Sequence, residues 1–191
     1  MSGVDLSADG DDTLLRAVAR GDAAAFEELY DRLAPMVLLR LRRRCADDDV
    51  VADVMQETFG AVWRAAGTWD GRGDVGAWVW TIAARRLVDA FRRRAAHGGP
   101  TVAHVDLEHA LSVSRARTSA RSAEEEVMSG LLAGPLAAAV AGLAPELQAV
   151  LQATVLDGLS TREASVLLGV PEGTVKTRAM RARIQVRQAL A

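Results

Sequence analysis

The chain has 191 residues and a formal net charge of −2, and half of its residues are hydrophobic. This length suits one ordinary domain or two small ones, with enough apolar residues for a core. The sequence contains no apolar run long enough to span a membrane, and its first 20 residues are acidic and polar. We therefore expect neither a secretory signal nor a membrane helix, and a cytoplasmic location.

Charge is segregated along the chain. Residues 1–70 hold 14 acids and 8 bases, whereas residues 71–97 hold 2 acids and 6 bases. An acidic stretch, residues 98–142, then separates this basic segment from a second one, residues 143–191, with 4 acids and 6 bases. Because the local field decides where a polyanion docks, the two basic segments are compatible with nucleic-acid binding despite the total charge.

The first half of the chain reads as four helices. Apolar residues recur at helical spacing from Leu14 onward and are interrupted at Gly21-Asp22. A third helix is predicted to open at Asp47-Asp48-Asp49, and a loop from Gly67 to Gly76 precedes a fourth helix from Ala77 to about Arg94. The fourth helix has one predicted buried stripe: Trp80, Ala84, Leu87, Val88 and Phe91.

The second half predicts a separate helical domain. The breaker cluster at 97–100 and a Ser/Arg/Thr-rich stretch at 112–122 are typical of a linker. Further helices are predicted near residues 124–141, 145–156, 160–168 and 172–190. No strand is predicted, so the fold class is all-α with two small domains. The predicted divisions are a tail at 1–12, a first domain at 13–96, a linker at 97–123 and a second domain at 124–191.

A helix-turn-helix pattern lies between Leu159 and Arg178. Ser160 followed by Glu163 predicts a capping box, and Gly169 stands where a left-handed residue ends the first helix. The first helix is predicted to bury Ala164, Leu167 and Leu168. The second helix is predicted to bury Val175, Met180 (or Ala179) and Ile184.

The second of these helices has the composition of a DNA-recognition helix. Its N-terminal part would enter the major groove, where Lys and Arg can contact guanine and Thr the thymine methyl group. The predicted DNA-contacting residues are Thr174, Lys176, Thr177, Arg178, Arg181 and Arg183. The alternative is an ordinary helix pair with solvated charges. The motif alone names no family, because response regulators of the LuxR type carry a similar string.

Three segments outside this motif are more specific. Ala25–Tyr30, followed by Asp53–Phe59 and Trp63, resembles regions 2.1 and 2.2 of bacterial sigma factors. Trp78–Arg94 resembles regions 2.3 and 2.4, and Leu143–Arg183 resembles region 4. The order and spacing are those of the family, and the missing region 3 domain points to its extracytoplasmic-function group. A LuxR-type regulator would instead carry an α/β receiver domain.

The resemblance implies an assembly with RNA polymerase. Region 2 would bind the clamp helices of the largest subunit, region 4 the β-subunit flap, and the linker would thread towards the active cleft. An anti-sigma factor is a further implied partner. The implied polymerase-docking residues are Asp53, Gln56, Glu57, Phe59 and Trp63. From spacing alone, a solvated acidic face would be the favoured interpretation.

The resemblance also implies that the fourth helix and the loop before it melt the minus-ten promoter element, while the recognition helix reads the minus-thirty-five element. The implied melting residues are Trp69, Arg72, Trp78, Arg85, Arg86, Arg92 and Arg93. Trp78 could instead be a core residue. Arg85 stands where the family usually has Asn, and so the minus-ten base preference of relatives is not carried over.

Other residue types predict no catalytic or metal site. His97, His104 and His109 fall in the predicted linker at spacings that suit no shared ligand, and the lone Cys45 is expected to be an inert thiol rather than a redox sensor. No nucleophile, paired-carboxylate or phosphate-loop arrangement is present. We expect no cofactor and no enzymatic activity. A nucleic-acid-processing enzyme is therefore disfavoured, and a stand-alone regulator that binds DNA without polymerase is the alternative function.

Overall fold

The structure, a computed structural model, describes residues 9–97 and 134–191. In this part of the chain every regular element is helical, which confirms the predicted all-α class. The helices of the first range are α1 (Asp11–Val18), α2 (Ala23–Arg42), α3 (Asp48–Ala65), a 3₁₀ turn (Ala66–Thr68) and α4 (Val75–Ala96). Those of the second are α5 (Pro135–Ala141), α6 (Pro145–Leu151) with a π-type turn (Gln152–Leu156), α7 (Thr161–Leu168) and α8 (Glu172–Ala189).

Aspartates set the starts of three helices. Asp22 accepts a hydrogen bond from the Ala25 amide at 3.1 Å and so caps α2, as the predicted break at Gly21-Asp22 requires. Asp47 accepts from the amides of the third helix at 3.1 Å. Asp74 accepts from the Ala77 amide at 2.7 Å. Because of this last cap, α4 begins at Val75, two residues before the predicted start.

Apolar residues of α1 to α4 form the core in the first range. The predicted stripe of α4 is buried along its whole length, and Trp80 is 0% exposed. The other largest fully buried side chains are Leu14, Leu15, Leu29, Val37, Leu41, Val51, Val54, Val62, Val79, Leu87 and Val88. Burial of each Leu or Val stabilises the fold by roughly 1.5–3 kcal/mol relative to exposure.

Two polar contacts close the edges of this core. The guanidinium carbons of Arg40 and Arg44 lie 5.4 and 4.7 Å from the Trp80 ring centroid and cover it as cation–π partners. Arg32 of α2 donates to Glu28 at 2.7 Å and to Asp11 of α1 at 3.1 Å. These two hydrogen-bonded carboxylates, that of Glu28 first, raise the pKa of Arg32. The α1–α2 pair is thus joined by a charged bridge outside the apolar contacts.

The helices of the second range form a smaller bundle. Leu143, Leu147 and Ala182 form a buried cluster against which Leu151 and Val186 pack. The cluster joins α6 to the C-terminal half of α8. It therefore fixes the second half of α8, while the start of α8 is bonded to α7 through Thr161 and Glu172.

The chain divides into two compact units, residues 1–90 and 91–191. The division falls inside α4, whereas the sequence places its domain boundary after residue 96. The predicted linker beyond His97, the first part of the predicted helix near 124–141, and His104 and His109 lie outside the described residues. Among the described helices, none is long and apolar enough to cross a membrane.

Candidate nucleic-acid and polymerase interfaces

The helix-turn-helix is built from local bonds that the sequence predicts. Ser160 accepts from the Glu163 amide at 3.2 Å, and Glu163 accepts from the Ser160 amide at 2.8 Å, so the capping box is confirmed. Gly169 ends α7 at φ 64° and ψ 27°, the left-handed conformation that favours glycine. Thr161 donates to Glu172 at 2.9 Å and ties the start of α7 to the start of α8.

The buried face of α8 differs in part from the prediction. Val175, Ala179 and Ala182 are buried, whereas Met180 and Ile184 are 55% and 44% exposed. The assignment of Met180 and Ile184 to the buried face is therefore wrong, and the alternative residue, Ala179, is right. Small alanine side chains let α8 lie close to its neighbours, and this turns the larger apolar residues outward.

Most of the predicted DNA-contacting residues of α8 lie on its exposed side. Lys176, Thr177, Arg181 and Arg183 are exposed, and Thr174 and Arg178 are half-buried. The Lys176 ammonium lies 2.9 Å from the Glu172 carboxylate. Hydrogen bonds from Lys176 and then Thr161 lower the pKa of Glu172. Lys176 thus has an exposed ion-pair partner on its own helix.

Met180 is a candidate contact that the sequence reasoning missed. It follows Thr177 by three residues and precedes Ile184 by four, so the three share the outward face of α8. Thr177 donates its hydroxyl hydrogen to the Gly173 carbonyl at 3.0 Å. Its side chain can therefore contact a partner only through its methyl group or by accepting a hydrogen bond. An exposed apolar group between arginines suits a thymine methyl. The sequence signal for Met180 is the pair Ala179 and Ala182, because these small residues indicate that the face of α8 opposite Met180 is the packed one.

The predicted melting residues of α4 lie along one side of that helix. Trp78 is half-buried, Arg85, Arg92 and Arg93 are exposed, and Arg86 is half-buried. Positions 78, 85 and 92 are seven apart and nearly superpose along the helix axis. The side of α4 opposite the Trp80 stripe therefore combines a partly exposed indole with guanidinium groups.

The loop before α4 holds the other two predicted melting residues, Trp69 and Arg72. Trp69 is half-buried, and Arg72 is exposed and donates its backbone amide to the Asp70 carboxylate at 3.0 Å. Gly71 and Gly73 have φ values of 76° and 80°, which side-chain-bearing residues rarely adopt. The loop is a tight turn with a defined backbone.

The predicted polymerase-docking residues lie on α3, and four of the five reach the surface. Asp53 and Gln56 are exposed, Glu57 is half-buried, and Trp63 is 39% exposed. Phe59 is 4% exposed, so it supports this surface from beneath and offers no direct contact to a partner. These four surface residues are called the α3 docking face below.

An aromatic cluster supports the α3 docking face. The Phe26 ring meets Trp63 edge-on at 5.2 Å between centroids and Phe59 at 6.5 Å, and Tyr30 meets Phe59 at 4.6 Å. Edge-to-face pairs of this kind contribute about 0.5–1.5 kcal/mol each beyond their buried area. The indole of Trp63 is thereby held in place while much of its surface stays in solvent.

Cys45 and His97 lie outside these surfaces, and the structure shows the environment of each. Cys45 is 2% exposed, and its thiol lies 3.7 Å from the Asp47 carbonyl oxygen, so it is a buried thiol. The His97 Nδ1 lies 2.6 Å from the Arg93 carbonyl oxygen, which places His97 at the end of α4. No group of three or more His, Cys, Asp or Glu residues that could hold a metal occurs within residues 9–97 and 134–191.

Two family models match the chain in the order of its domains. Sigma-70 region 2 matches residues 29–97, which include α3, α4 and most of α2. Sigma-70 region 4 matches residues 133–186, which include the helix-turn-helix. Together they cover more than half of the chain, which therefore belongs to the sigma-70 family of RNA polymerase sigma factors.

Curated relatives narrow the family to its ECF group. The ECF sigma factor SigL of Mycobacterium tuberculosis is 31% identical over 161 residues, which are 84% of this chain and 85% of SigL. BldN of Streptomyces coelicolor is 31% identical over 170 residues, 88% of this chain and 61% of BldN. SigK of a Mycobacterium species is 40% identical over 82 residues, 42% of each chain. The matched segments thus span less than two thirds of BldN and of SigK.

Solved structures of sigma factors are also similar. CnrH, in complex with the cytosolic domain of CnrY, is 25% identical with a TM-score of 0.45, and the match covers 95% of this chain and 97% of that one. The RsbN–BldN complex matches at 28% identity with a TM-score of 0.36, covering 92% and 97%.

Proposed function

We propose that this protein is a promoter-specificity subunit of RNA polymerase: it binds the core enzyme in the cytoplasm and directs it to a set of promoters. The observation that carries the proposal is the occurrence, in family order, of two basic helices with exposed arginines, α4 and α8, and of the separate α3 docking face. RNA synthesis would be the chemistry of the polymerase. The sigma subunit would supply recognition and strand opening.

In this proposal α8 reads the minus-thirty-five element in the major groove. The support is the geometry of its outward side, where Thr177, Met180 and Arg181 follow one another within about one turn. Arg can form a bidentate contact with guanine, and apolar groups contact the thymine methyl. Arg178 and Arg183, on the flanks of the same helix, would contact phosphates. Each good bidentate contact discriminates against a wrong base by about 1–3 kcal/mol.

The second part of the proposal assigns strand opening at the minus-ten element to α4 and the loop before it. A duplex gives up base stacking only when another surface replaces it, and aromatic side chains hold unpaired bases with about 1–3 kcal/mol each. Trp78 and Trp69 are partly exposed indoles beside arginines, which supports this assignment. The arginines would hold the phosphates of the displaced strand.

Two protein surfaces are proposed for the polymerase and for regulation. The α3 docking face would bind the clamp helices of the largest subunit. In region 4, the apolar side chains of Val155 and Leu156 are 54% and 38% exposed at a site that the DNA proposal does not use. Two adjacent exposed apolar side chains offer a partner protein apolar surface to bury. We assign this surface to the β-subunit flap, and to an anti-sigma factor when the protein is held inactive.

Run-off transcription tests the function. Core polymerase with and without the purified protein is supplied with genomic fragments, and discrete transcripts that require the protein are expected. Denatured protein and an unrelated sigma factor serve as controls. If the protein yields no transcript with core enzyme and instead binds duplex fragments tightly by itself, it is a stand-alone helix-turn-helix regulator and the proposal is wrong.

A further inference from the structure

An arginine of α1 contacts the loop between the 3₁₀ turn and α4. The Arg16 guanidinium carbon lies 5.9 Å from the centroid of the Trp69 ring. Its Nη2 lies 3.6 Å from the position that a Cβ on Gly71 would take. Arg16 therefore lies over the ring of the first residue of the loop and close to the third residue. The helix that carries it precedes residues 29–97, the segment that matches sigma-70 region 2.

The two halves of this loop are held in different ways. In the second half, Asp70 accepts from the Arg72 amide at 3.0 Å, and Asp74 caps α4 through the Ala77 amide at 2.7 Å. In the first half, the indole nitrogen of Trp69 is buried and has no hydrogen-bond partner within the described residues. The position of this ring thus depends on packing, of which the Arg16 contact is a part.

The only ion pair found for Arg16 within residues 9–97 and 134–191 is a long one. Its guanidinium lies 3.8 Å from the Asp12 carboxylate, and both side chains are about half exposed or more. Ion pairs of this kind contribute little. The guanidinium lies over the Trp69 ring within the distance of a cation–π contact, and so this contact is the stronger reason for Arg16 to stay where it is.

We propose that Arg16 is a positioning residue for promoter opening: its guanidinium braces the Trp69 ring and the backbone at Gly71, so that the rest of the indole is presented to an unpaired base. The inference rests on the proposed function. A base that stacks on Trp69 would complete a layered arrangement of guanidinium, indole and base. A platform that is already fixed binds such a base without the entropic cost of ordering it first.

Three variants test this role. Arg16→Ala removes the brace, Arg16→Lys keeps the charge without the planar group, and Arg20→Ala is the matched control, since Arg20 is an exposed arginine just after α1. Hydrogen exchange of the amides in residues 69–74 should quicken in Arg16→Ala and not in Arg20→Ala. This measurement needs neither polymerase nor promoter, and so it stands apart from the proposed function.

Transcription supplies the second readout, on a promoter recovered by the run-off experiment and on the same promoter with the minus-ten region pre-melted. The ratio of duplex to pre-melted activity should fall about two- to fivefold in Arg16→Ala, as expected for a cation–π contact of about 0.5–1 kcal/mol when 1.36 kcal/mol is tenfold. In Arg16→Lys this ratio should fall less than in Arg16→Ala but should stay below the wild-type ratio. Arg20→Ala should match wild type.

Several results would overturn the inference. If hydrogen exchange of the amides in residues 69–74 is unchanged in Arg16→Ala, Arg16 does not hold the loop, whether or not the protein proves to be a sigma factor. An equal fall on both templates with a lower melting temperature would show a purely structural role. Full recovery by Arg16→Lys would assign Arg16 to a simple electrostatic contact with phosphate. A wild-type protein that directs no transcription would defeat the proposed function, and the exchange measurement would still decide on the brace.

Discussion

Trp78 and Trp80 are two residues apart on α4 and lie in opposite environments. Trp80 is 0% exposed beneath Arg40 and Arg44, whereas Trp78 is half-buried on the other side of the helix. The first is an ordinary core residue. The second keeps part of its surface in solvent, and this difference makes the pair a natural test of the proposed strand opening.

We expect Trp78→Ala to keep a near-normal melting temperature, to transcribe weakly from duplex promoter, and to recover on a pre-melted template, because the proposed base-stacking surface is lost while the buried Trp80 stripe is kept. Trp80→Ala is the matched control, and it should lose about 3–5 kcal/mol of stability through the cavity it leaves. Thermal unfolding and paired run-off assays measure both. A Trp78→Ala protein that is as unstable as Trp80→Ala and is not rescued would make Trp78 a packing residue.

Arg181 and Met180 provide the corresponding test in α8. We expect Arg181→Ala either to relax preference at one base pair of the minus-thirty-five element by about 1–3 kcal/mol, or to weaken all sequences alike and lower the salt slope by about 1. Met180→Ala should reduce preference for a single thymine, because a methyl contact is lost. Both effects are read from binding by the holoenzyme to a promoter library at several salt concentrations.

Arg187 is the control for this pair, since it is an exposed arginine near the C-terminal end of the same helix. Arg187→Ala should leave the base preference as in wild type. If substitutions at Lys176, Thr177, Arg178 and Arg181 all leave both promoter preference and salt slope unchanged, α8 lies outside the DNA interface.

At the scale of an element, α3 carries its core residues and its solvent-exposed residues on different sides. Val51, Val54 and Val62 pack into the core, while Asp53, Gln56 and Trp63 reach solvent. The exposed side chains of Asp53 and Gln56 can therefore be replaced without changing the packing of the core. This separation allows polymerase binding to be tested without the ambiguity of an unfolded variant.

We expect the triple variant Asp53→Ala, Gln56→Ala, Glu57→Ala to lose most of its affinity for core polymerase while it keeps the helical content and melting temperature of wild type. The double variant Glu27→Ala, Asp31→Ala also removes two negative charges, from exposed positions of α2, and should bind core normally. Competition against labelled wild-type protein for core enzyme measures both. A triple variant that competes as well as wild type would remove α3 from the interface.

The elements also show where sequence reasoning succeeds. Helix ends marked by a specific residue were predicted well: the break at Gly21-Asp22, the start at Asp47 and the left-handed Gly169 all follow from local bonds. The start of α4 was predicted two residues late because Val75 and Gly76 favour helix poorly on their own, and the Asp74 cap decides the matter.

Which side of a helix is buried was harder to predict. On α8, residues 175, 179 and 182 and residues 180 and 184 both have helical spacing, so hydrophobicity alone favoured the larger Met180 and Ile184. The tight contact that selects Ala179 and Ala182 depends on the neighbouring helices. Phe59 is a similar case, because its burial depends on Phe26 and Tyr30 of α2, far from it in sequence. The contact between Arg16 and Trp69 has no signal in the sequence.

At the scale of the whole molecule, the small net charge conceals segments of strongly different charge. The chain has 25 acids and 23 bases, yet α8 alone carries five bases against one acid, Glu172. Even if all five bases neutralised phosphates, the electrostatic term would resemble ordinary non-specific binding, with a Kd of about 10⁻⁴–10⁻⁶ M at physiological salt. Neither basic helix by itself has the charge for tight promoter binding.

Two weak sites become a tight one only when a scaffold fixes their spacing, because the second contact is then made at a high effective concentration. We therefore expect the isolated protein to leave duplex promoter unbound at submicromolar concentration, and the holoenzyme to bind the same fragment tightly and specifically. Mobility shifts of one promoter fragment and one scrambled fragment, with protein alone, core alone and both together, measure this. Promoter-specific binding in the nanomolar range by the protein alone would show that its two DNA-binding surfaces need no scaffold, and would favour a stand-alone regulator over a polymerase subunit.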